Sequence, residues 1–575
     1  MMRGRDWSVT RRVAYIIFVF FSSVNALLNP ILPGWNPDPS IVRVGSDYFI
    51  ATSTFEYFPG HPIYHSKNLV DWKLIGHALN RPSQLTLFGT PSDAGVWAPG
   101  LRYHNGIFYL TSTTRYVYTS ELRLFPRSFY VTTKDIFSNK WSEPVYFDFL
   151  GYDADLFWDT NGDVYCTWSG INNNFDKIYG IWQSKVDLLT GNSLIPAELI
   201  FQGILPNNSS ARPEGPHIYR VNGTYYLLIA EGGTDIHHRA TIQRGPSPSG
   251  PWENNPNNPI LFNGADLSLP VQDTGHADLV EGPDGSWWGV ALGVRPQAQN
   301  FSHIQLGRET FLFPVTWENG WPIFNGGRPL TEHIEDVLQD KSPLRPYFND
   351  FSSHELDQSF YFIRTPYKPF HSLAARPGWL RLYGNAYAPG DRDSAALVVR
   401  KQTSYEETFE TRLDFAPTSN LTEAGISVYY GDLLHNEIGV TGDPDGGPAR
   451  HIVIRTIVQA TQVGPWALTT SNSTITTVKY LPITSPSAPV RLKIVGNSTS
   501  YSLGYAESED NDFSFPVTID SIALSVAPAG GFFFKGVSFG VYNTGNGKPT
   551  LAHADFEYWK QTPALSPSVS SSGKK

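Results

Sequence analysis

"GLRYHNGIFYLTST" (100–113) is the stretch that decides the fold, because it has the form of two strands joined by a tight turn. An apolar run leads into Asn-Gly, and an aromatic-rich run follows. The Asn-Gly pair supplies the positive φ angles that a short hairpin turn needs. Four other stretches share this form: "SIVRVGSDYFIATS" (40–53), "DLFWDTNGDVYCTWS" (155–169), "HIYRVNGTYYLLIA" (217–230) and "ADLVEGPDGSWWGVAL" (277–292).

The five hairpins recur at a nearly constant period. Their turn glycines lie 61, 56, 61 and 62 residues apart, and they are Gly45, Gly106, Gly162, Gly223 and Gly285. Further strand-like runs follow the hairpins, for example "IYHSKNLVDW" (63–72). Four strands in each of five units predict a five-bladed β-propeller over residues 27–340. A single all-β sandwich is the alternative, but it does not explain the period.

The second half of the chain is also all-β, but it lacks this period, which stops after "KSPLRPYFNDFSS" (341–353). Short alternating strands follow, such as "AALVVRKQ" (395–402) and "VRLKIVG" (490–496). Their even spacing predicts a β-sandwich of the jelly-roll kind over residues 341–561. The polar, serine-rich residues 562–575 are predicted to be a disordered tail.

Residues 1–26 have the features of a secretory signal peptide. An arginine-rich start precedes the apolar run "VAYIIFVFF" (13–21), and "VNA" (24–26) fits a cleavage site. A membrane anchor is the alternative, but the run falls short of the roughly 20 residues that span a bilayer. The prediction is a secreted, extracellular glycoprotein without membrane attachment after cleavage. Its N-x-S/T triplets begin at Asn207, Asn208, Asn222, Asn300, Asn420, Asn472 and Asn497.

Charge and cysteine content exclude several classes of protein. The net charge is -10, and it is spread without long single-sign runs, which argues against a nucleic-acid partner. Cys166 is the one cysteine in the sequence, so an intrachain disulfide is excluded. The fold must therefore be stabilised by packing. The sequence leaves the oligomeric state open.

The repeat brings chemically active residues together. In a propeller the innermost strands line the central axis, so residues just before each hairpin's first strand converge. These residues are Asp38, Trp97, Asp153, Glu214 and His276. Asp38 alone, between two prolines, would be interpreted as a turn residue. Beside two other carboxylates it becomes a candidate for catalysis.

Carboxylates in an aromatic-lined pocket suit glycoside hydrolysis. One acid protonates the leaving oxygen, a second activates water or attacks the sugar, and a third can raise the pKa of the first by charge repulsion. The sequence contains no nucleophile elbow, P-loop, HExxH or CxxC pattern that would favour another chemistry.

The same residues carry a resemblance to glycoside hydrolase family 43. It covers roughly 29–335, through "WNPDPS" (35–40), "VWAPGLRYHNGIFYL" (96–110), "YDADLFWDTNGDVY" (152–165) and "RPEGPHIYRVNGTYYLLIAEGGT" (212–234), among other motifs. The resemblance implies an inverting, five-bladed enzyme. It also implies that Asp38 is the general base, that Glu214 is the general acid, and that Asp153 tunes pKa and orientation. Asp155 departs from the family pattern, and Glu231 is an acid to which no role is assigned.

The resemblance further implies a set of substrate-binding residues. Phe55 and Trp97 would wall the glycone, Arg308 would hold a sugar hydroxyl or carboxylate, and His276 would lie on the axis. The sandwich is similar to the concanavalin-like domain of exo-acting members. In those enzymes a sandwich loop lends an aromatic ring to the site; here "GGFFFKG" (530–536) offers Phe532 or Phe534.

These inferences predict a secreted inverting exo-glycosidase that removes terminal pentoses from oligosaccharides of plant hemicellulose. β-Xylosidase activity on xylo-oligosaccharides is the first choice, and α-L-arabinofuranosidase or dual activity is the alternative. A non-catalytic carbohydrate-binding protein and a structural or adhesive protein are alternatives of other classes. No cofactor is expected to be required and no metal ligands are assigned. A structural Ca²⁺ is left open, although no EF-hand-like loop is present.

Overall fold

The structure is a computed structural model. It describes residues 27–116, 126–171, 179–206, 212–297, 303–334, 344–458, 461–462, 468–469, 475–525 and 533–564. The signal peptide and most of the tail predicted from the sequence lie outside these residues, as does Phe532.

Strands make up nearly all the regular structure. The first half contains β1 (Leu27–Leu28), β2 (Ser40–Val44), β3 (Asp47–Ala51), β4 (Tyr57–Phe58), β5 (Gly60–Ser66), β6 (Lys73–Leu79), β7 (Gly95–Val96), β8 (Gly100–His104), β9 (Ile107–Arg115), β10 (Arg127–Thr133), β11 (Val145–Tyr146), β12 (Tyr152–Trp158), β13 (Val164–Ile171), β14 (Tyr179–Lys185), β15 (Glu198–Phe201), β16 (Glu214–Val221), β17 (Thr224–Glu231), β18 (Arg239–Gly245), β19 (Glu253–Asn254), β20 (Gln272–Glu281), β21 (Trp287–Val294), β22 (Glu309–Glu318), β23 (Trp321–Phe324) and β24 (His333–Ile334).

The second half continues the series. It contains β25 (Tyr347–Asn349), β26 (Tyr361–Ile363), β27 (His371–Ser372), β28 (Leu380–Tyr383), β29 (Leu397–Lys401), β30 (Glu407–Phe415), β31 (Glu423–Gly431), β32 (Leu434–Gly442), β33 (Arg450–Val458), β34 (Thr461–Gln462), β35 (Leu468–Thr469), β36 (Ile475–Pro482), β37 (Val490–Gly496), β38 (Ser500–Ala506), β39 (Ser514–Asp520), β40 (Ser538–Thr544), β41 (His553–Phe556) and β42 (Trp559–Pro563). Short 3₁₀ helices occupy Ile136–Ser138, Asn325–Gly327 and Ser521–Leu524.

Five antiparallel sheets follow one another along the first half and form the blades of a propeller. Their strand orders are β2-β3-β5-β6, then β8-β9-β10-β11 with β7 also on β9, then β12-β13-β14-β15, β16-β17-β18-β19 and β20-β21-β22-β23. The predicted five-bladed propeller is confirmed. Each turn glycine of the repeat has a positive φ, between 63° and 91°, which is a conformation that glycine adopts without steric cost.

The N-terminal segment closes the propeller by pairing with its last blade. Leu27 and Leu28 of β1 pair with β24, and Leu32 forms an antiparallel bridge with Thr310 of β22. The backbone N–H of Asn36 then donates to the carbonyl of Arg308 at 2.9 Å. The residues that lead into Asp38 are therefore part of the closure.

The second half is a sandwich of two large antiparallel sheets, as predicted. One sheet has the order β27-β28-β41-β30-β37-β38-β39, and β42 joins it beside β30. The other has the order β36-β33-β32-β31-β40-β29-β26-β4. The last strand of this second sheet, β4, comes from the first blade's segment of the chain, so the sandwich sheet extends directly into the propeller.

An aromatic cluster fills the boundary between the two domains. Trp35 and Tyr57 from the propeller pack with Tyr361, Tyr429 and Tyr542 from the sandwich, and all five side chains are at most 1% exposed. The indole N–H of Trp35 donates to the hydroxyl of Ser538 at 3.2 Å. Burial of this much aromatic surface fixes the two domains against each other. Within the described residues, the structure contains no apolar helix of membrane-spanning length.

Candidate active site

A cavity of about 570 Å³ opens at one end of the propeller axis. The side chains that the sequence predicted for the site line it together, and they are Asp38, Phe55, Trp97, Asp153, Glu214, His276, Arg308 and Phe534. Polar and aromatic residues that the sequence did not single out complete the wall, and they include Arg115, Tyr152, Tyr179, Arg212 and Asp235. Five of the predicted residues, one from each blade, form what we call the cavity ring: Asp38, Trp97, Asp153, Glu214 and His276.

The backbone turns sharply at several positions of the cavity ring. Asp38, Asp153 and His276 have φ angles of 54°, 53° and 48°, in the left-handed region that non-glycine residues seldom adopt. Irregular strand pairing accompanies three blades, between Tyr152 and Asp155, between Glu214 and His217, and between Gly275 and Asp278. Bulges of this kind re-aim side chains next to functional sites. In these three blades the innermost strand thereby turns one side chain, that of Asp153, Glu214 or His276, into the cavity.

Asp38 is held in its ionised form. Arg308 places a guanidinium nitrogen 3.0 Å from its Oδ1, and the Ser53 hydroxyl donates to its Oδ2 at 2.5 Å. The Ser53 backbone N–H also donates to the carbonyl of Pro37, which fixes the turn. Burial alone would raise the pKa of Asp38, but the charge of Arg308 and the bond from Ser53 hold that pKa below its ordinary value. A buried carboxylate with a low pKa can accept a proton from water at neutral pH.

Glu214 is perturbed in the opposite direction. Burial raises the pKa of Glu214 to about 7, against the opposing charge of Arg212. The Tyr152 hydroxyl lies 3.4 Å from its Oε2. An acid with a pKa near 7 is still protonated in about half of the molecules at pH 7 and can release its proton readily, which is what a general acid needs.

Asp153 is the third carboxyl of the cavity ring, and the charges of the other two act on it. Burial, followed by the charges of Glu214 and Asp38, raises the pKa of Asp153 well above its ordinary value. Its Oδ2 accepts the backbone N–H of Gly215 at 3.2 Å, directly beside Glu214 in the sequence. Asp153 therefore contacts the backbone that carries Glu214, and the charge of an ionised Glu214 opposes the ionisation of Asp153.

Aromatic rings from both domains wall the cavity. Phe534 of the sandwich lies 5.9 Å from Phe55 and 6.1 Å from Trp97, measured between ring centroids. The guanidinium of Arg308 lies over the Phe534 ring at 4.9 Å and donates to the Phe534 carbonyl at 2.8 Å. Of the two phenylalanines predicted to reach the site, Phe534 reaches it. Its neighbour Phe533 instead stacks on Tyr430 of the sandwich at 4.7 Å.

A buried ion triad fastens these walls. The Lys535 ammonium lies 2.9 Å from Glu56 and 3.2 Å from Asp93, and all three side chains are at most 1% exposed. Asp93 also accepts the backbone N–H of Phe534 at 3.2 Å, while its carbonyl accepts the indole N–H of Trp97 at 3.0 Å. Glu56 follows Phe55 directly in the sequence. Each of the three wall rings is therefore tied to the triad.

His276 faces the base as a neutral imidazole. Its Nδ1 lies 3.9 Å from the Asp38 carboxylate, and burial lowers the pKa of His276 to about 4. Gly215 packs against the imidazole ring, since a Cβ at that position would lie 3.0 Å from it. Among the described residues, no group of three or more His, Cys, Asp or Glu side chains is arranged to hold a metal ion. Whether the protein holds a structural Ca²⁺ stays a prediction.

Below the cavity ring lies a second polar layer, which we call the buried ring. It also takes one residue from each blade: Ser40, Arg102, Asp155, His217 and Asp278. Arg102 lies 2.6 Å from Asp155 and 2.8 Å from Asp278. His217 Nδ1 lies 2.8 Å from Asp155, and the Ser40 hydroxyl donates to Asp278 at 2.7 Å. Against the effect of burial, the charges of Arg102 and His217 hold the pKa of Asp278 below its ordinary value.

The sequence pattern did not predict the buried ring, although Asp155 stood out in it as a departure from the family pattern. Simple alternation would put Asp153 and Asp155 on one face of a strand. The irregular pairing after Tyr152 separates them: Asp153 faces the cavity, whereas Asp155 binds Arg102 and His217. The sequence does contain a signal for the buried ring: a polar residue lies two or three positions after each acid of the cavity ring and after His276. Glu231, the unassigned acid, is buried outside the cavity and accepts from Thr241 at 2.9 Å and from the Ile204 backbone at 2.8 Å.

Comparisons with known proteins agree with this geometry. The model of "Glycosyl hydrolases family 43" matches residues 27–322, and that of "Beta xylosidase C-terminal Concanavalin A-like domain" matches residues 349–562. A non-reducing end α-L-arabinofuranosidase of Bacteroides ovatus is 37% identical over 538 residues, covering 92% of this chain and 94% of its own length. A β-xylosidase of Bacillus subtilis is 32% identical over 555 residues, covering 93% and 99%.

A solved structure extends the likeness to three dimensions. The xylan β-1,4-xylosidase of Bacillus halodurans superposes with a TM-score of 0.81 at 32% identity, over 93% of this chain and 100% of that chain. Since the superposition covers nearly the whole chain, both domains occur in the relative in the same arrangement.

Proposed function

The chain belongs to family 43 of the glycosyl hydrolases and is a glycoside hydrolase, and from that premise we propose that it removes terminal pentoses from hemicellulose with inversion of configuration. The observation that carries the proposal is the opposite perturbation of two acids in one cavity. Asp38 has a lowered pKa, and Glu214 has a pKa of about 7. One carboxyl is thus ionised and the other protonated at the same pH.

The proposed reaction uses these two states directly. Asp38 accepts a proton from a water molecule as the water oxygen bonds to the anomeric carbon. Glu214 gives its proton to the glycosidic oxygen as the bond between that oxygen and the anomeric carbon breaks. Because the water attacks from the face opposite to the leaving group, the product has the inverted configuration. Burial and the charge of Asp38 keep Glu214 protonated, and Asp153 supports the backbone of Glu214 through Gly215.

The shape of the cavity supports removal of one sugar from a chain end. Phe534 closes the space beside Phe55 and Trp97, so the glycone lies against the sandwich domain. An enzyme that cuts inside a polysaccharide needs a groove open at both ends, which this wall disfavours. The proposed mode is therefore exo-acting.

Two substrates are supported. β-Xylosidase activity on xylo-oligosaccharides is the first proposal, in line with the Bacillus subtilis relative and with the concanavalin-like domain. α-L-Arabinofuranosidase activity is the second, because the Bacteroides ovatus relative bears that name at 37% identity. Hydrolysis of 4-nitrophenyl β-xyloside and of 4-nitrophenyl α-arabinofuranoside, measured separately, distinguishes them. NMR of the anomer first released tests inversion, and retained configuration would exclude water activation by Asp38.

Glu214→Gln tests the acid directly. We expect a loss of about 10²–10⁴-fold in kcat on an unactivated xylo-oligosaccharide. A dinitrophenyl glycoside should be hydrolysed much more nearly at the wild-type rate, because dinitrophenolate leaves without a proton. Glu231→Gln is the matched control, since it removes a buried acid of the same blade that lies outside the cavity. Equal losses on both substrates would contradict the acid role.

We also propose that the protein is secreted after cleavage behind residue 26. The arginine-rich start and the apolar run at 13–21 support this. Amino-terminal sequencing of protein recovered from the medium should begin at Leu27. Enzymatic deglycosylation of the same sample tests whether the N-x-S/T triplets carry glycans.

A further inference from the structure

Lys401 is a buried lysine at the boundary between the two domains. It ends β29 of the sandwich, and its side chain faces the propeller with 7% of the residue exposed. Its ammonium donates to the amide oxygen of Asn36 at 2.8 Å and lies 4.1 Å from the ring of Trp35 and 5.3 Å from that of Tyr361. Within the part of the chain that the structure describes, no carboxylate forms an ion pair with it.

Stability does not account for such a residue. A buried ammonium loses much of its hydration; here two ring faces and the Asn36 amide oxygen compensate for part of that loss, beside a cavity of about 330 Å³ that Lys401 and Asn36 line. Burial also lowers the pKa of Lys401 well below its ordinary value. An apolar side chain of similar length would fill the same space without that penalty. Lys401 therefore stands where a hydrophobic residue would stabilise the protein better.

The partner of Lys401 is the residue that fixes the base. The backbone N–H of Asn36 donates to the carbonyl of Arg308 at 2.9 Å, and its carbonyl accepts the hydroxyl of Thr310 at 2.6 Å. Arg308 is the cation beside Asp38, and only Pro37 separates Asn36 from Asp38. Asn36 thus connects the base to its cation through the backbone. Its own side chain is held by Lys401 and by the Tyr64 hydroxyl, the latter at 2.8 Å.

We propose that Lys401 is a positioning residue, which sets the Asp38 carboxylate against Arg308 from the sandwich domain through Asn36. This inference rests on the proposed role of Asp38 as the base. The sandwich would then contribute to the active site in two places: through Phe534, which lines the cavity, and through Lys401, which acts on the base from outside the cavity. The contact spans 365 positions of the sequence, so it forms only when both domains are folded together.

Lys401→Met tests the proposal. We expect kcat on the preferred 4-nitrophenyl glycoside to fall about tenfold or more, with KM changed less than about twofold. The unfolding midpoint should be equal or higher, because an unpaired buried charge has been removed. Lys493→Met is the matched control: it removes a sandwich lysine that pairs with Glu410 at 3.1 Å and does not line the cavity, so kcat should not change.

The pH dependence of kcat/KM distinguishes a positioning role from a role in stability alone, because a loss of stability would not shift its acid limb. Arg308 favours the ionised form of Asp38, so a looser contact raises the pKa of Asp38 and shifts the acid limb of kcat/KM to higher pH. The other titratable groups that interact with Asp38 or Lys401 are His276, His238, His61, Asp153, Glu214 and His77. None of them is altered by the substitution.

A double-mutant cycle keeps the proposal falsifiable if the methionine variant folds poorly. Asn36→Leu removes the acceptor, so adding it to Lys401→Met should cause little further loss of kcat. Lys401→Gln can still donate to Asn36 and should recover most of the activity. Wild-type kcat and acid limb in Lys401→Met, or additive losses in the cycle, would overturn the proposal. An active Asp38→Asn variant would instead overturn the proposed function itself.

Discussion

The cavity ring and the buried ring are built from the same five blades, yet their electrostatics are opposite. In the buried ring one guanidinium, Arg102, serves two aspartates, and Asp278 is held ionised. Beside the cavity ring, Arg308 pairs with Asp38 at 3.0 Å, while burial raises the pKa of Asp153 and of Glu214. A few residues along a strand thus separate the aspartates that share Arg102 from the carboxyls of Asp153 and Glu214, whose pKa is raised.

This difference in electrostatics suggests that the buried ring serves stability and the cavity ring serves catalysis. A balanced, buried network contributes to a unique packing of the blades around the axis. The cavity ring buries its carboxyls close together, and burial favours the neutral form of Glu214 and prepares it to give up a proton. Substitutions in one ring should therefore change turnover, and those in the other should change the free energy of unfolding.

The largest expected effect follows from the base. Asp38→Asn keeps an oxygen that can accept the Ser53 hydroxyl but cannot take a proton from water. We expect kcat to fall about 10³–10⁴-fold, near the upper end for a general base. The protein should remain folded and bind the sugar, as titration with the product pentose would show. Turnover within tenfold of wild type would remove Asp38 from the mechanism.

Loss of the central cation of the buried ring should have the next largest effect. Arg102→Met leaves Asp155 and Asp278 buried without their guanidinium, which typically costs about 3–5 kcal/mol. Denaturant unfolding measures this change. Arg412→Met, which breaks a partly exposed ion pair with Glu557, is the control and should cost less than about 1 kcal/mol. If Arg102→Met unfolds like wild type but loses turnover, the division between the rings is wrong.

The smallest effect concerns the basic limb of the pH profile. The general acid works protonated, so kcat/KM should fall as pH rises through the pKa of Glu214, about 7. Arg212 lowers that pKa, so Arg212→Met should raise it and move the basic limb to higher pH by less than about one unit. The acid limb, set by Asp38, should stay in place. A shift toward lower pH would mean that Arg212 does not act on Glu214.

Much of this organisation could be predicted from the sequence because the repeat is regular. The turn glycines set the blade period, and that period by itself places Asp38, Asp153 and Glu214 around one axis. Their convergence follows from topology alone. The catalytic roles given to them stay proposals until the variants are measured.

Other parts depended on details that a linear pattern does not carry. The buried ring was missed because irregular pairing, not alternation, decides which side chains face the cavity. Three adjacent phenylalanines look alike in sequence, and only the fold places Phe533 on Tyr430 and Phe534 in the cavity. Lys401 looks like an ordinary strand residue, because its partner Asn36 is 365 positions away.

The bond between Trp35 and Ser538 has a consequence for how the enzyme is made. The two residues are 503 positions apart, and Trp35 lies three residues before the base. At the usual 5–20 residues per second, a ribosome needs roughly 25–100 s to travel between them. From the addition of Glu214 until the end of that time, the nascent chain carries all three acids but not the strand of the sandwich that contains Ser538. Hydrolytic activity should therefore appear late in translation, when the strand that contains Ser538 has left the exit tunnel.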